Sequence, residues 1–139
     1  DVEGYMAPME EREPLSRTNL ADLKKITEIC RERGISLVLF SAPSPANWTM
    51  RRHNTIQDTA ESLGLPYIDG NLLNLGIDWD TDTYDRGDHL NYRGAAKVTA
   101  WIGEYLRRSY ALPDRRGDPA YENWNRDAAA FRDWLEAQE

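Results

Sequence analysis

The chain has 139 residues, of which 40% are hydrophobic and 29% charged, and its formal net charge is −7. That length suffices for one domain with its own core, and the composition is that of an ordinary globular protein. An acidic balance excludes nucleic acid as an expected partner, because phosphate binding needs a basic face, and the longest strongly apolar run, residues 35–40, is far too short to span a bilayer.

Residues 1–17 are acidic and carry Pro8 and Pro14, so they read as an irregular arm preceding a domain over 18–139. Leu20, Leu23, Ile26, Ile29 and Cys30 recur at helical spacing and predict a helix over about 19–33, capped by Thr18 or Asn19 and ended by Gly34. Cys30, the single cysteine, excludes an intrachain disulfide and falls on the apolar stripe as a buried, inert thiol. Residues 35–40 predict a strand buried on both faces, as in a parallel sheet. The loop that follows, 41–48, is stiffened by Pro43 and Pro45.

The unit then repeats. A helix over about 50–63 has Ile56, Ala60 and Leu63 on one side and ends at Gly64. A short strand over 65–69 follows, with Pro66 at its start or on an edge. A long acidic loop, 70–88, leads to a helix over about 91–108 with Ala95, Val98, Ile102, Tyr105 and Leu106 inward. Pro113, Gly117 and Pro119 mark a turn before a last helix, about 120–136, whose stripe of Tyr121, Trp124, Ala128, Phe131 and Leu135 reads as core or as a docking face. Helix–strand alternation predicts an α/β fold with parallel pairing and right-handed crossovers. Two strands are few for such a sheet. Together with a first residue that is Asp rather than Met, this reads as a portion of something longer.

The chemistry concentrates in residues 84–95, around His89, one of two histidines. Imidazole is the usual general base near neutral pH, and an adjacent carboxylate fixes its tautomer. Asp85 and Asp88 are the candidate orienting acids. Side chains of adjacent residues on an extended segment point apart, which favours Asp85, while a turn at Gly87 can bring either into place. His53, beside Arg51 and Arg52, reads as a solvated or partner-contacting side chain. Ser41 and Ser44 follow a strand, where nucleophiles often sit, but no Gly-x-Ser-x-Gly elbow surrounds them. Asp78, Asp80 and Asp82 have the opening spacing of a calcium loop, yet Thr83 and His89 stand where that loop needs Gly and a bidentate Glu, so a solvated acidic loop is expected.

Three segments carry a resemblance. Leu37-Val38-Leu39-Phe40-Ser41-Ala42-Pro43, the strand Leu65-Pro66-Tyr67-Ile68-Asp69, and the block from Asp85 through His89-Leu90-Asn91 to Gly94 occur in the order and spacing found in SGNH (GDSL-type) hydrolases. The chain resembles the C-terminal half of that family over about residues 20–108. The resemblance implies a flavodoxin-like three-layer α/β fold, present as a C-terminal portion with few parallel strands. It implies a serine esterase or O-acyltransferase in which His89 is the base and Asp85 or Asp88 its orienter. The family's acid stands three residues before the histidine, where this chain has Arg86. The family's serine and oxyanion donors lie in blocks this chain lacks.

Further implications follow from the same resemblance. Asn47, Trp48, Tyr84 and Asn91 become candidate substrate-binding residues, and no metal or organic cofactor is expected. The segments at Trp48, at His53-Asn54 and at 112–116 resemble cell-surface members from Gram-positive bacteria that handle D-alanyl or O-acetyl groups on wall polymers. The expected partner is therefore an acylated carbohydrate or wall polymer met outside the cytoplasmic membrane, with a cytoplasmic location as the alternative. The missing N-terminal half of the domain would be a second partner. A truncated sheet leaves an unpaired edge, so the chain is expected to form a homodimer or to cover that edge with residues 1–17. The alternative function is a non-catalytic glycan-binding or assembly module built around Trp48 and Tyr84.

Overall fold

The computed structural model describes residues 4–137. The chain divides into two compact units, residues 1–102 and 103–139. The elements, in order, are α1 (Arg17–Glu32), β1 (Leu39–Ser41), α2 (Met50–Leu63), β2 (Tyr67–Asp69), α3 (Tyr92–Ser109) and α4 (Glu122–Glu136), with short 3-10 turns at Gly70–Leu72 and Pro119–Tyr121. The fold is mixed α/β, about half helical, with two short parallel strands. No helix among the described residues is long and apolar enough to cross a membrane.

In the first unit, two helix endings set up the strands. Gly34, left-handed at φ 65°, lets its own N–H reach Arg31 at 3.2 Å and the Ile35 N–H reach Cys30 at 2.8 Å. Gly64, at φ 63°, repeats the pattern with bonds to Glu61 at 3.0 Å and from Leu65 to Ala60 at 2.9 Å. Both are Schellman closures, which satisfy the last carbonyls and turn the chain back along the helix. Leu39, Phe40 and Ser41 then pair in parallel with Tyr67, Ile68 and Asp69. Pro66 lies just before β2, and its carbonyl accepts from Leu39 N–H at 2.9 Å.

Several expectations need correction. The first strand is Leu39–Ser41 rather than 35–40; its residues are only half-buried, and Ile35 is 55% exposed. A strand is buried on both faces only when layers cover both, and β1 has one strand neighbour, β2, among the described residues. The cap of α1 is Ser16, whose Oγ accepts from Asn19 N–H, rather than Thr18 or Asn19. On that helix Ile26 and Ile29 are exposed and Cys30 is half-buried, while Thr27 is fully buried with its hydroxyl returned to the Leu23 carbonyl at 2.8 Å. On α3, Gly94 and Val98 face inward, and Ala95 is exposed. Phe40 stacks on Trp101 with ring centroids 6.2 Å apart, joining β1 to this helix.

Among the described residues, the acidic arm pairs with neither strand. Tyr5 reaches Asn71, and the rest of the contacts run along α2: Asn54 donates to the carbonyls of Met9 and Glu11, Arg12 pairs with Asp58 at 2.8 Å, and Arg52 pairs with Glu13 at 3.1 Å. The Glu13 N–H bonds Thr55 Oγ1 at 3.0 Å. Between arm and helix, beside Trp48, opens a cleft of about 370 Å³.

In the second unit, α4 follows a turn whose Asp118 side chain accepts from Ala120 N–H at 3.0 Å. Its aromatic stripe is not a core: Trp124 is 71% exposed, and Phe131, stacked on Trp134 at 5.8 Å, is also exposed. Amphipathic spacing alone marks an apolar face and leaves open what covers it.

Candidate functional site

A tight hairpin carries the residues singled out by sequence. Thr83 and Leu90 form an antiparallel bridge, and the Tyr84 N–H bonds the His89 carbonyl at 2.9 Å. The turn needs two left-handed residues, Arg86 at φ 59° and Gly87 at φ 136°. A non-glycine residue there costs about 1 kcal/mol. The Arg86 N–H bond to Thr83 Oγ1 at 2.8 Å and the pairing of its guanidinium with Asp80 at 3.3 Å help to hold it.

Asp85 organises this turn. Its Oδ1 accepts from the N–H groups of Asp88 at 2.9 Å and His89 at 2.8 Å, while its Oδ2 lies 2.6 Å from His89 Nδ1. Asp88 Oδ2 is 3.3 Å from the same nitrogen. Both acids thus reach the ring: Asp85 makes the short bond, and Asp88 adds its charge. The His89 bond holds the Asp85 carboxyl down at about 2, with the backbone donors adding to it. In return His89 is raised above its ordinary 6.5, first by the Asp85 bond and then by the Asp88 charge. The His89 side chain is 71% exposed, and its Nε2 has no hydrogen-bond partner among the described residues. That is the condition of a base open to a substrate from one nitrogen and oriented through the other.

The hairpin sits over the loop that leaves β1. The Ala46 N–H bonds the Gly87 carbonyl at 2.9 Å, Asn47 Nδ2 donates to Asp88 Oδ1, and Ser44 Oγ reaches Asp88 at 3.4 Å. The 42–48 loop and the His89 hairpin therefore meet at the carboxyl ends of the parallel strands, where open α/β folds place their ligand crevices. Of the other candidates, Tyr84 is 77% exposed on the hairpin. Asn91 serves the backbone: its Oδ1 accepts from Arg93 and Gly94 N–H groups to cap α3, and its Nδ2 donates to the Thr81 carbonyl at 2.8 Å. Gly94 is required there, since a Cβ at this position would collide with the Asp82 carbonyl and touch Leu90 at 3.0 Å.

Trp48 belongs to a second cluster that sequence reasoning missed. Its indole Nε1 donates to Asp69 Oδ2 at 2.8 Å, and His53 Nδ1 lies 2.9 Å from the same oxygen. Asn71 gives its N–H and Nδ2 to Asp69 Oδ1 at 2.9 and 2.7 Å. The Asp69 side chain is 1% exposed and that of His53 15%, so His53 is an interior group and not a solvated one. Its position was legible: residues 53, 56, 60 and 63 share one face of α2. Tyr67 packs against the His53 ring at 5.7 Å, and burial raises its hydroxyl well above the usual range.

Ser41, at the end of β1, and Ser44, in the loop, each have a hydrogen-bond partner other than an imidazole. Ser41 Oγ pairs with the Tyr67 hydroxyl at 3.0 Å, and Ser44 Oγ turns to Asp88. The acidic loop is not uniformly solvated either. Asp82 is 3% exposed, bonded to Lys97 at 2.5 Å and to the Asp78 N–H at 2.8 Å, and the Lys97 ammonium lowers its carboxyl. Asp78 caps the N–H groups of Asp80 and Thr81, so the three carboxylates serve separate partners. Among the described residues, the one group of at least three metal-ligating side chains with converging atoms is Asp85, Asp88 and His89, within 4.8 Å of one another. Asp85 and His89 are already engaged with each other, and Asp88 with Ser44, Asn47 and the His89 ring. No protein-family model matches the chain, and neither a curated protein nor a solved structure matches it.

Proposed function

We propose that this chain supplies the histidine–aspartate half of a serine esterase or O-acyltransferase site of the SGNH type, on a portion of a flavodoxin-like α/β fold. The observation that carries this is the Asp85–His89 bond of 2.6 Å with the ring open to solvent at the carboxyl ends of the strands. His89 Nε2 takes the serine proton as the hydroxyl oxygen bonds to the ester carbonyl carbon. The protonated ring then returns that proton to the departing alcohol as the ester C–O bond breaks. Asp85 accepts from Nδ1, which keeps Nε2 the basic nitrogen and stabilises the imidazolium. Asp88 contributes a second negative charge. In this reading the attacking serine is neither Ser41 nor Ser44, which are turned to other partners. The cleft beside Trp48 offers room for part of an acylated carbohydrate or wall polymer outside the cytoplasmic membrane.

The test is turnover of an aryl acetate by the whole protein that contains this chain, compared with its His89→Ala variant, with circular dichroism as the folding control. Removing the base should lower kcat/KM by about a thousandfold or more. Full activity in the variant would overturn the proposal. Robust activity in the 139-residue chain by itself would move the nucleophile to Ser41 or Ser44. Retention of a glycan without any turnover would favour a binding module.

A further inference from the structure

The two histidine–aspartate pairs are joined by one continuous set of hydrogen bonds. Asp69, buried at the end of β2, receives Asn71 through both its N–H and its Nδ2. The rest of the Asn71 amide serves the Tyr5 hydroxyl, which donates to Oδ1 at 3.2 Å, and the loop that leaves β1. Asn71 Oδ1 accepts from the Ser44 N–H at 2.8 Å, and its Nδ2 also reaches the Ala42 carbonyl at 3.2 Å. Within the loop, the N–H groups of Asn47 and Trp48 both return to the Ser44 carbonyl, at 3.0 and 2.8 Å, so Ser44 sets where Asn47 stands. Asn47 Nδ2 then donates to Asp88 Oδ1, leaving Asp88 Oδ2 at 3.3 Å from His89 Nδ1.

The two acids beside His89 are therefore held differently. Asp85 is fixed within the hairpin by the N–H groups of Asp88 and His89. The Asp88 side chain has no such local anchor among the described residues; besides His89, it is held by Ser44 and Asn47. An exposed carboxylate without a second partner samples other rotamers, and its field at the imidazole falls with distance.

We propose that Asn71 and Asn47 are positioning residues for His89: Asn71, seated on the buried Asp69, fixes the 42–48 loop, and Asn47 uses that loop to hold the Asp88 carboxylate beside the imidazole. A role for Asn47 in binding substrate is not needed to account for its place. The charged groups that face His89 are Asp85 and Asp88; Arg86 is turned to Asp80, and residues 42–48 include no titratable side chain. The consequence for catalysis rests on the esterase reading above, whereas the positioning itself does not.

The experiment is an NMR titration of the two histidine rings in the 139-residue chain, which needs no turnover. Asn71→Asp keeps the shape, the backbone donor and the acceptor for Ser44 but has no side-chain donor for Asp69 or Ala42, and sets a carboxylate against another. Asn47→Ala cuts the contact to Asp88 at an exposed position. Each is expected to lower the His89 midpoint, because an imidazolium loses a nearby negative charge. Neither should lower it further in an Asp88→Asn background, since the effect travels through Asp88. Asp85→Asn should lower the midpoint most, and its effect should add to that of Asn71→Asp.

An unchanged His89 midpoint in folded Asn71→Asp or in Asn47→Ala would overturn the proposal. So would a full, additive effect of either change in the Asp88→Asn background. Should Asn71→Asp fail to fold, Asn71→Ser removes the Nδ2 bonds and also the Oδ1 acceptor of the Ser44 N–H, without a second carboxylate, and carries the same comparison, and Asn47→Ala decides the loop-to-hairpin contact in either case. In the whole protein, the acidic limb of the rate–pH profile should move with the His89 midpoint. Loss of titration coupling defeats the positioning role alone, and full activity in His89→Ala defeats the esterase reading alone.

Discussion

His53 and His89 each bring Nδ1 to an aspartate, at 2.9 and 2.6 Å, and the two pairs differ in almost everything else. Asp69 is 1% exposed and satisfied by donors from Trp48, His53 and Asn71, drawn from a loop, a helix and a turn. Asp85 is 39% exposed, and its partners all lie within four residues of it. The first pair is a junction: remove it and several buried donors lose their acceptor. The second is a local device that shapes one turn and orients one ring. Burial makes a pair structural, and exposure with a free second nitrogen makes a pair available to a reactant.

The contrast can be broken most directly at Asp69. Asp69→Ala leaves the Trp48 Nε1, His53 Nδ1 and Asn71 donors unsatisfied, and should destabilise the fold by about 3 kcal/mol in urea denaturation. A loss under about 1 kcal/mol would mean that water replaces the carboxylate, and the pair would not be structural. Gly94→Ala tests the support of the exposed pair. The added methyl meets the Asp82 backbone, so overpacking should cost about 2 kcal/mol and disturb the hairpin resonances before those of Trp48 and His53.

The smallest expected effect on stability is that of Asp85→Asn, and its signature is its dependence on pH. Asp85 is held at about 2 against an ordinary 3.8, so its contribution is present above 3.8 and is lost as pH falls through about 2. His89 is raised above 6.5, so its contribution is fully present below 6.5 and is lost as pH rises through the raised value. The difference in melting temperature between wild type and Asp85→Asn should therefore be greatest between 3.8 and 6.5 and shrink on both sides. A difference independent of pH would show that Asp85 acts only as a backbone cap and not through the imidazole.

What the sequence determined by itself was local. Helical spacing placed α2, α3 and α4 within a residue or two, because each carries an apolar stripe and helix bounds follow from nearby caps. Gly34 and Gly64 marked two helix ends, since a left-handed residue there is a property of the chain's own backbone. The contact between His89 and Asp85 was legible for the same reason, as both lie in one five-residue turn; Asp88 stood only as the alternative acid, and the turn at Arg86 and Gly87 brings it to the ring as well. Tertiary structure decided everything that joins distant segments. Trp48, His53, Asp69 and Asn71 come from separate elements, and no spacing in the sequence records their meeting. Ile35 looked buried because its neighbours are apolar, yet a strand is covered only by what packs beside it, and β1 has one strand partner. The stripe on α4 likewise fixed which face is apolar, while its exposure depended on packing. Propensity, capping and turn chemistry act within a few residues along the chain, whereas burial and charge pairing act across space, and only folding converts the one into the other.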